Sequence, residues 1–184
     1  LVAFVAPGVQ NTGIISARLG KVSLAAGNTF TLDLYGDQLV NLGVDSQVMQ
    51  NVTGFNGEQL NSLVNNSGSI YADGGTVAMD VQTAQGLIDG VINMSGYIQA
   101  RSIAEKNGSI YLTGGNDGLV SVSGSINATG LGIKETGGVV HVLGSRVGLY
   151  DNAFIDVSGD AGGGLVLVGG DYQGLGFIPT AVEN

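Results

Sequence analysis

A short phrase that recurs at a fixed interval constrains this chain more than any other feature of its sequence. "SGSIYA" at Ser67–Ala72 returns as "SGYIQA" at Ser95–Ala100 and as "SGSINA" at Ser123–Ala128, and looser copies begin near Asn11 and Asp151. The three clear copies follow one another at intervals of 28 residues. Self-similarity at a period of about 20–50 residues is typical of solenoids, propellers and other arrays, so the chain is a repeat protein.

The repeat has a measurable register. The central aliphatic residues of the copies predict a ladder with spacings of 27, 28, 28, 28 and 29 residues: Ile15, Leu42, Ile70, Ile98, Ile126 and Ile155. Leu42 belongs to the weakest copy and is included because the spacing requires a member there. Alanine stands two residues after most ladder positions, and residues two apart in a strand share a face. Both are therefore predicted to point inward.

A second strand follows in each well-formed copy, in segments such as "GTVAMD" and "GVVHVL". Its predicted inward pairs are Val22 and Leu24, Val77 and Met79, Ile110 and Leu112, Val140 and Val142, and Val166 and Val168. The residues between them are predicted to point outward: Ser23, Ala78, Tyr111, His141 and Leu167. The segments "TFTLDL", "GVINM", "GLVSV" and "SRVGLY" indicate a third, less regular strand.

Three short strands per repeat predict an all-β parallel β-helix of about six rungs of roughly 28 residues. The 33 glycines and 2 prolines fit this fold, because glycine supplies the backbone conformations of tight turns. A β-sandwich has no reason to restart one phrase every 28 residues, and helical repeats conflict with the alternation of period two. We expect residues 1–184 to form a single segment, with a loop or short-helix excursion at about 35–66.

Composition excludes several classes of partner. The formal net charge of −9, with only 6 lysines and arginines scattered along the sequence, argues against nucleic acid or an anionic membrane surface. The chain has no cysteine, which excludes disulfides and thiolate metal sites. No apolar stretch is long enough to predict a transmembrane helix, so membrane insertion is not expected.

The sequence predicts no catalytic, cofactor-binding or metal-binding residue. His141, the only histidine, is expected to be an ordinary outward surface residue. The outward column next to the ladder holds a single acid and reads Ser16, Tyr71, Gln99, Asn127 and Asp156. Glycoside cleavage needs paired carboxylates, which this column lacks. The neighbouring column is more apolar: Ile14, Ser69, Tyr97, Ser125 and Phe154. Tyr71, Tyr97 and Phe154 are therefore candidates for a contact surface.

Three phrases carry a resemblance to a known family: "ISARLGKV" at Ile15–Val22, "SGDAGGG" at Ser158–Gly164 and "GGDYQG" at Gly169–Gly174. Together with the repeats, they resemble the large exoproteins of the filamentous-haemagglutinin type, which Gram-negative bacteria export by two-partner secretion. The resemblance implies a right-handed parallel β-helix, an outer-membrane pore as partner during export, and service as a long adhesive fibre. The Asn-Pro motifs of the family's secretion domain are missing, so the resemblance implies a shaft segment just beyond that domain.

The expected function is thus a non-enzymatic structural shaft of a secreted or cell-surface adhesin, presenting adhesive or effector regions. Glycans or proteins on host or bacterial surfaces are the partners expected for its contact surface. Two alternatives stay open at this point. One is a β-helical polysaccharide hydrolase or lyase, which acids clustered on one face would favour. The other is a self-assembling extracellular filament subunit, since solenoid ends and flat faces invite pairing.

Overall fold

The computed structural model describes residues 1–33, 41–84, 86–171 and 178–182. These residues form eighteen β-strands and no helix. In chain order the strands are β1 (Val2–Ala6), β2 (Val9–Asn11), β3 (Ile14–Ser16), β4 (Lys21–Ala26), β5 (Thr29–Asp33), β6 (Asn41–Ser46), β7 (Ser62–Asn66), β8 (Ser69–Tyr71), β9 (Thr76–Val81), β10 (Gly90–Met94), β11 (Tyr97–Gln99), β12 (Ser109–Thr113), β13 (Leu119–Val122), β14 (Ser125–Asn127), β15 (Val139–Leu143), β16 (Arg146–Leu149), β17 (Phe154–Asp156) and β18 (Leu165–Val168).

Sixteen of these strands build three parallel sheets that run along one axis. Sheet 1 contains β1, β4, β9, β12, β15 and β18; sheet 2 contains β2, β7, β10, β13 and β16; sheet 3 contains β3, β8, β11, β14 and β17. The chain visits the three sheets in turn, and each strand pairs in parallel with its counterpart one turn further on. The predicted parallel β-helix of about six rungs is therefore confirmed.

The predicted inward ladder is confirmed at five of its six positions. Each of these five residues pairs with the next in sheet 3: Ile15, Ile70, Ile98, Ile126 and Ile155. The prediction for Leu42 is wrong, because Leu42 lies in β6 and pairs with Leu32 of β5 in an antiparallel hairpin. The spacing rule fails here because Ile15 is directly adjacent to Ile70, so a single enlarged rung occupies an interval that would fit two.

The enlarged rung leaves the coil twice. After Ala26 the chain forms the β5–β6 hairpin, and it returns at Val48, which bonds to the backbone of residues 82 and 84 in the next rung. A smaller excursion follows and is closed by an antiparallel bridge between Thr53 and Gln59. The coil then resumes with β7. Both excursions are inserted between sheet 1 and sheet 2, so the stacking of the rungs is preserved.

Two details of the sequence-based prediction change in this region. The segment "TFTLDL" was predicted to be a third strand of the coil, but its described residues, Thr29–Asp33, belong to the β5–β6 hairpin. Its place in sheet 2 is taken by β7, which falls within the excursion expected at about 35–66. Within that expected range, residues 35–40 lie outside the part of the chain that the structure describes.

The core consists of aliphatic stacks enclosed by the three sheets. The predicted inward pairs of sheet 1 lie rung on rung, and all those from Val22 to Val142 are fully buried. Val166 keeps the register but is 36% exposed, since β18 is the last described strand of its sheet. Like residues stack on like, which maximises the apolar area removed from water between neighbouring rungs.

Glycine recurs in the repeated phrase for a steric reason. Each of these glycines lies at the edge where sheet 2 turns into sheet 3, directly beside the glycine of the neighbouring rung: Gly13, Gly68, Gly96 and Gly124. A Cβ on Gly96 would collide with the carbonyl oxygen of Gly68, and one on Gly124 with that of Gly96. The backbone approaches itself too closely for any side chain, and we call this column the glycine seam.

Candidate contact surface

The outer face of sheet 3 carries both outward columns predicted from the sequence. Residues of the first column pair rung by rung: Ser16, Tyr71, Gln99, Asn127 and Asp156. The second column is aligned in the same way: Ile14, Ser69, Tyr97, Ser125 and Phe154. Strand spacing of about 4.8 Å sets the distance between successive members of a column. The register thus places Tyr71, Tyr97 and Phe154 on one face.

Only two of the three predicted contact residues touch one another. The rings of Tyr71 and Tyr97 lie with their centroids 5.7 Å apart and their planes inclined at 52°, within the range of favourable aromatic pairs. Phe154 is separated from Tyr97 by the small side chain of Ser125, because it lies two rungs away in the same column. Phe154 is 58% exposed and Ile14 is 77% exposed, so the apolar groups of this face are concentrated at its two ends.

Hydrogen bonds connect the tyrosine pair to an ion pair. Tyr97 Oη donates to Gln99 Oε1 at 2.8 Å, and Gln99 Nε2 donates to both carboxylate oxygens of Asp73 at 2.9 and 3.0 Å. Arg101 donates to the same carboxylate from its backbone N at 2.9 Å and from Nη2 at 2.7 Å. Asn127 Nδ2 completes the chain by donating to Tyr97 Oη at 3.2 Å. The network fixes the orientation of Tyr97.

Hydrogen bonds lower the pKa values of two aspartates, Asp73 in this network and Asp156 in the first column. Burial would raise the pKa of Asp73, but the hydrogen bonds from the side chain and backbone of Arg101, its positive charge and the Gln99 amide outweigh burial, so the pKa of Asp73 is lowered. Asp156 also has a lowered pKa, chiefly because the Ser158 hydroxyl and backbone N–H donate to its carboxylate. Both acids are therefore stabilised as anions, the opposite of what a general acid requires.

His141 lies on the outer face of sheet 1, in the predicted outward column between Tyr111 and Leu167. Its ring meets the edge of Tyr111 with centroids 5.1 Å apart, and burial lowers the pKa of His141. The Nε2 atom is buried without a hydrogen-bond partner. Within the described ranges, no three His, Asp or Glu side chains are grouped so as to hold a metal ion. In the same ranges, no helix is long and apolar enough to cross a bilayer.

The structure gathers cations that look scattered in the sequence. Five of the 6 basic residues lie where sheet 3 turns into sheet 1: Arg18, Lys21, Arg101, Lys106 and Lys134. We call this corner, residues 17–21, 72–75, 100–108, 128–138 and 157–164, the basic edge. Its acids are Asp73, Glu105, Glu135 and Asp160. Cations here slightly outnumber acids in a chain whose net charge is −9.

The repeat register contained the information needed to find the basic edge. Arg18 and Arg101 each follow a ladder isoleucine by three residues, and Lys106 and Lys134 each follow one by eight. Equal offsets from the ladder place residues at the same corner of a solenoid. Applying the register to charged residues as well as to apolar ones would have predicted the cluster.

No known protein family matches this chain, and a search of curated proteins found none that is similar to it.

Proposed function

We propose that this chain is a structural shaft segment of a secreted or cell-surface filamentous adhesin, exported by two-partner secretion. The observation that supports the proposal is the continuity of the coil: the inward ladder runs unbroken from Ile15 to Ile155, even across the enlarged rung. A coil of this kind adds length with each rung, at about 4.8 Å per turn, without adding width.

The shaft resists tension and bending through its backbone. Parallel ladders of hydrogen bonds in all three sheets connect each rung to its neighbours, so these bonds run along the axis of the rod. Every rung in the middle of the coil contributes fully buried aliphatic residues to the core, among them Ile98 and Ile126. A rod built in this way holds adhesive or effector regions away from the cell, and this role requires no active site.

The outer face of sheet 3 is the proposed contact surface of the shaft. Tyr71, Tyr97 and Phe154 supply aromatic area, while Gln99 and Asn127 supply amide groups for hydrogen bonding. Surfaces that combine exposed aromatic rings with a few polar groups are typical of recognition sites. Glycans or proteins on a host or bacterial surface are the proposed partners.

The localisation of the native protein tests the proposal. Antibodies raised against this segment should label intact cells of the source bacterium and should detect the protein in its culture medium. Deletion of the gene for the cognate outer-membrane pore should abolish both signals and leave the protein inside the envelope. Labelling that appears only after cell lysis, or that persists at the surface without the pore, would contradict export by two-partner secretion.

A further inference from the structure

A cavity of about 300 Å³ opens on the basic edge. It exists because the turns from sheet 3 to sheet 1 differ in length: the first two rungs use tight turns, whereas the loops 100–108 and 128–138 are longer and rise beside them. Arg18, Asp73, Arg101, Ser102, Leu131 and Glu135 are among the residues that line it. Its volume lies at the lower end of the range of small-molecule sites and suits a single ring.

The charged side chains that line the cavity differ in whether they have ion-pair or hydrogen-bond partners. Asp73 is paired with Arg101 at 2.7 Å, so these two charges are largely neutralised. Glu135 accepts hydrogen bonds from the backbone N–H groups of Ala104 at 2.6 Å and of Gly132 at 2.9 Å, which hold its carboxylate in place. Arg18, by contrast, has no hydrogen bond or ion pair to any residue that the structure describes. Its guanidinium is the cation available to a ligand.

A second observation comes from Ser102, which also lines the cavity. The residue is 4% exposed, and its Oγ has no hydrogen-bond partner. Leaving a buried hydroxyl unpaired costs about 1–3 kcal/mol, so native proteins rarely do so without a reason. Leu19 and Ala104 lie in the same turns and adopt left-handed backbone conformations with φ of 57° and 53°. Non-glycine residues in such conformations concentrate at ligand sites.

We propose that this cavity binds a carboxylated sugar residue of the uronic acid type. A guanidinium recognises a planar carboxylate through two parallel hydrogen bonds, which suits Arg18. The fixed carboxylate of Glu135 has one backbone donor on each oxygen and keeps lone pairs that accept hydrogen bonds from sugar hydroxyls. Ile103 and Leu131 supply an aliphatic wall for the apolar side of the ring.

The same groups disfavour other ligands of similar size. A neutral hexose offers no anion to Arg18, and a simple carboxylate such as acetate offers no hydroxyl donors to Glu135. A cation would meet the guanidinium of Arg18, which lines the same cavity. The inference does not depend on export or on a shaft role, since it concerns only the local chemistry of the cavity.

Calorimetric titration of the purified full chain with sodium D-glucuronate tests the proposal, with D-glucose and sodium acetate as comparison ligands. We expect glucuronate to bind more tightly than either. Arg18→Ala should weaken glucuronate binding by about 10- to 100-fold, the range for losing a hydrogen-bonded charge. The variant should melt at the wild-type temperature, because Arg18 is exposed and has no partner among the described residues.

Arg146→Ala is the matched control. Arg146 is the one basic residue away from the basic edge, and it lies 3.6 Å from Asp89 where sheet 1 turns into sheet 2. Its removal changes the net charge equally and should leave glucuronate binding unchanged. If both arginine variants lost the same amount of glucuronate affinity, the net charge of the chain would explain the effect, and the proposed site would be overturned. Glucose or acetate binding as tightly as glucuronate, or no heat with glucuronate at all, would also overturn it.

Discussion

Asn11 and Asn66 are 55 positions apart in the sequence, yet Asn11 Nδ2 donates a hydrogen bond of 2.7 Å to Asn66 Oδ1 across a single rung. Asn66 is fully buried, and its amide also contacts the sulfur of Met94 in the following rung at 3.5 Å. The pair shows that the coil closes over the two excursions between them as though these were absent. Rung stacking, not sequence distance, determines which residues meet.

Shortening the larger excursion should therefore leave the fold intact. Asn28 and Gln47 are close at the base of the β5–β6 hairpin, where Asn28 Nδ2 donates to the Gln47 carbonyl at 2.7 Å. Replacing residues 29–46 by an Asn-Gly turn should keep the β-sheet circular dichroism spectrum and shift the melting temperature by only a few degrees, because loop length affects stability weakly. Deleting 76–93, an equally long segment that includes β9 and most of β10, should prevent folding. Similar behaviour of the two deletions would contradict this account of the coil.

The inward and outward assignments of β14 can be tested with one new side chain at two adjacent positions. Ile126→Asp places a carboxylate in the core between Ile98 and Ile155 and should destabilise the protein by at least about 3 kcal/mol. Ser125→Asp points outward and should change stability by no more than about 0.5 kcal/mol. Urea unfolding of both variants measures the difference. Equal midpoints would show that the register is wrong.

Adding even a methyl group to the glycine seam should destabilise the protein. Gly96→Ala forces a Cβ against the carbonyl oxygen of Gly68, so we expect a loss of about 1–3 kcal/mol from overpacking. Gly163→Ala is the control, because a Cβ there meets only the Val157 carbonyl oxygen at an ordinary distance of 3.8 Å. Thermal melts of the two variants should differ by several degrees. A Gly96→Ala protein that melts at the wild-type temperature would show that the rungs separate at little cost.

Two aspartates should affect stability in opposite directions at neutral pH. The lowered pKa of Asp73 means that its contribution is present above its unfolded pKa of about 3.9 and is lost as pH falls through the folded value. Asp73→Asn should thus cost up to about 1 kcal/mol at pH 7, a small value because Arg101 is half exposed. This cost should shrink as pH falls through the folded pKa of Asp73, because the protonated carboxyl no longer pairs with Arg101.

Burial raises the pKa of Asp80, which reverses the sign. Its favourable contribution is present below the unfolded pKa and disappears as pH rises through the folded value, so the anion destabilises the protein at pH 7. Asp80→Asn should therefore raise the melting temperature at pH 7 and change it little at about pH 2. Melting curves at the two pH values compare both variants, and shifts of the same sign at pH 7 would contradict the assigned environments.

Incubation with polysaccharides should release no sugar. Hydrolysis needs a carboxyl pair in which one member is protonated, whereas the acids on the outer face of sheet 3 and at its edge, Asp156 and Asp73, both have lowered pKa values. A screen of neutral and acidic polysaccharides for reducing ends and for unsaturated products measures both hydrolysis and elimination. Turnover that disappears in Asp73→Asn or Asp156→Asn would favour the hydrolase or lyase alternative over the shaft.

Sequence periodicity predicted the coil because stacking forces like residues into equivalent positions. Five ladder members and the sheet 1 pairs were found in this way. Leu42 was misplaced because the spacing rule assumes rungs of equal length, whereas one enlarged rung connects Ile15 to Ile70 and carries Leu42 in its hairpin. Periodicity placed Gln99 in an outward column, but it did not predict the hydrogen bonds by which Gln99 connects Tyr97 to Asp73.

The repeat period does not predict the cavity of the basic edge. It arises from two loops of irregular length, 100–108 and 128–138, and from the backbone hydrogen bonds that hold Glu135 between them. The repeat pattern specifies where a rung restarts, whereas the path of a long turn depends on contacts that each turn makes individually.

The glycine seam also determines where this molecule can accept new sequence. In the first four rungs only two residues separate sheet 2 from sheet 3, whereas the other two corners hold every long loop and both excursions. A foreign peptide inserted at Gly96 would have to break contacts with the rungs on either side, but one inserted between Thr53 and Gln59 would extend a turn that already projects from the coil. The coil thus has one closed corner and two open ones. New sequence can be accepted at the open corners while the stacking of the rungs stays the same.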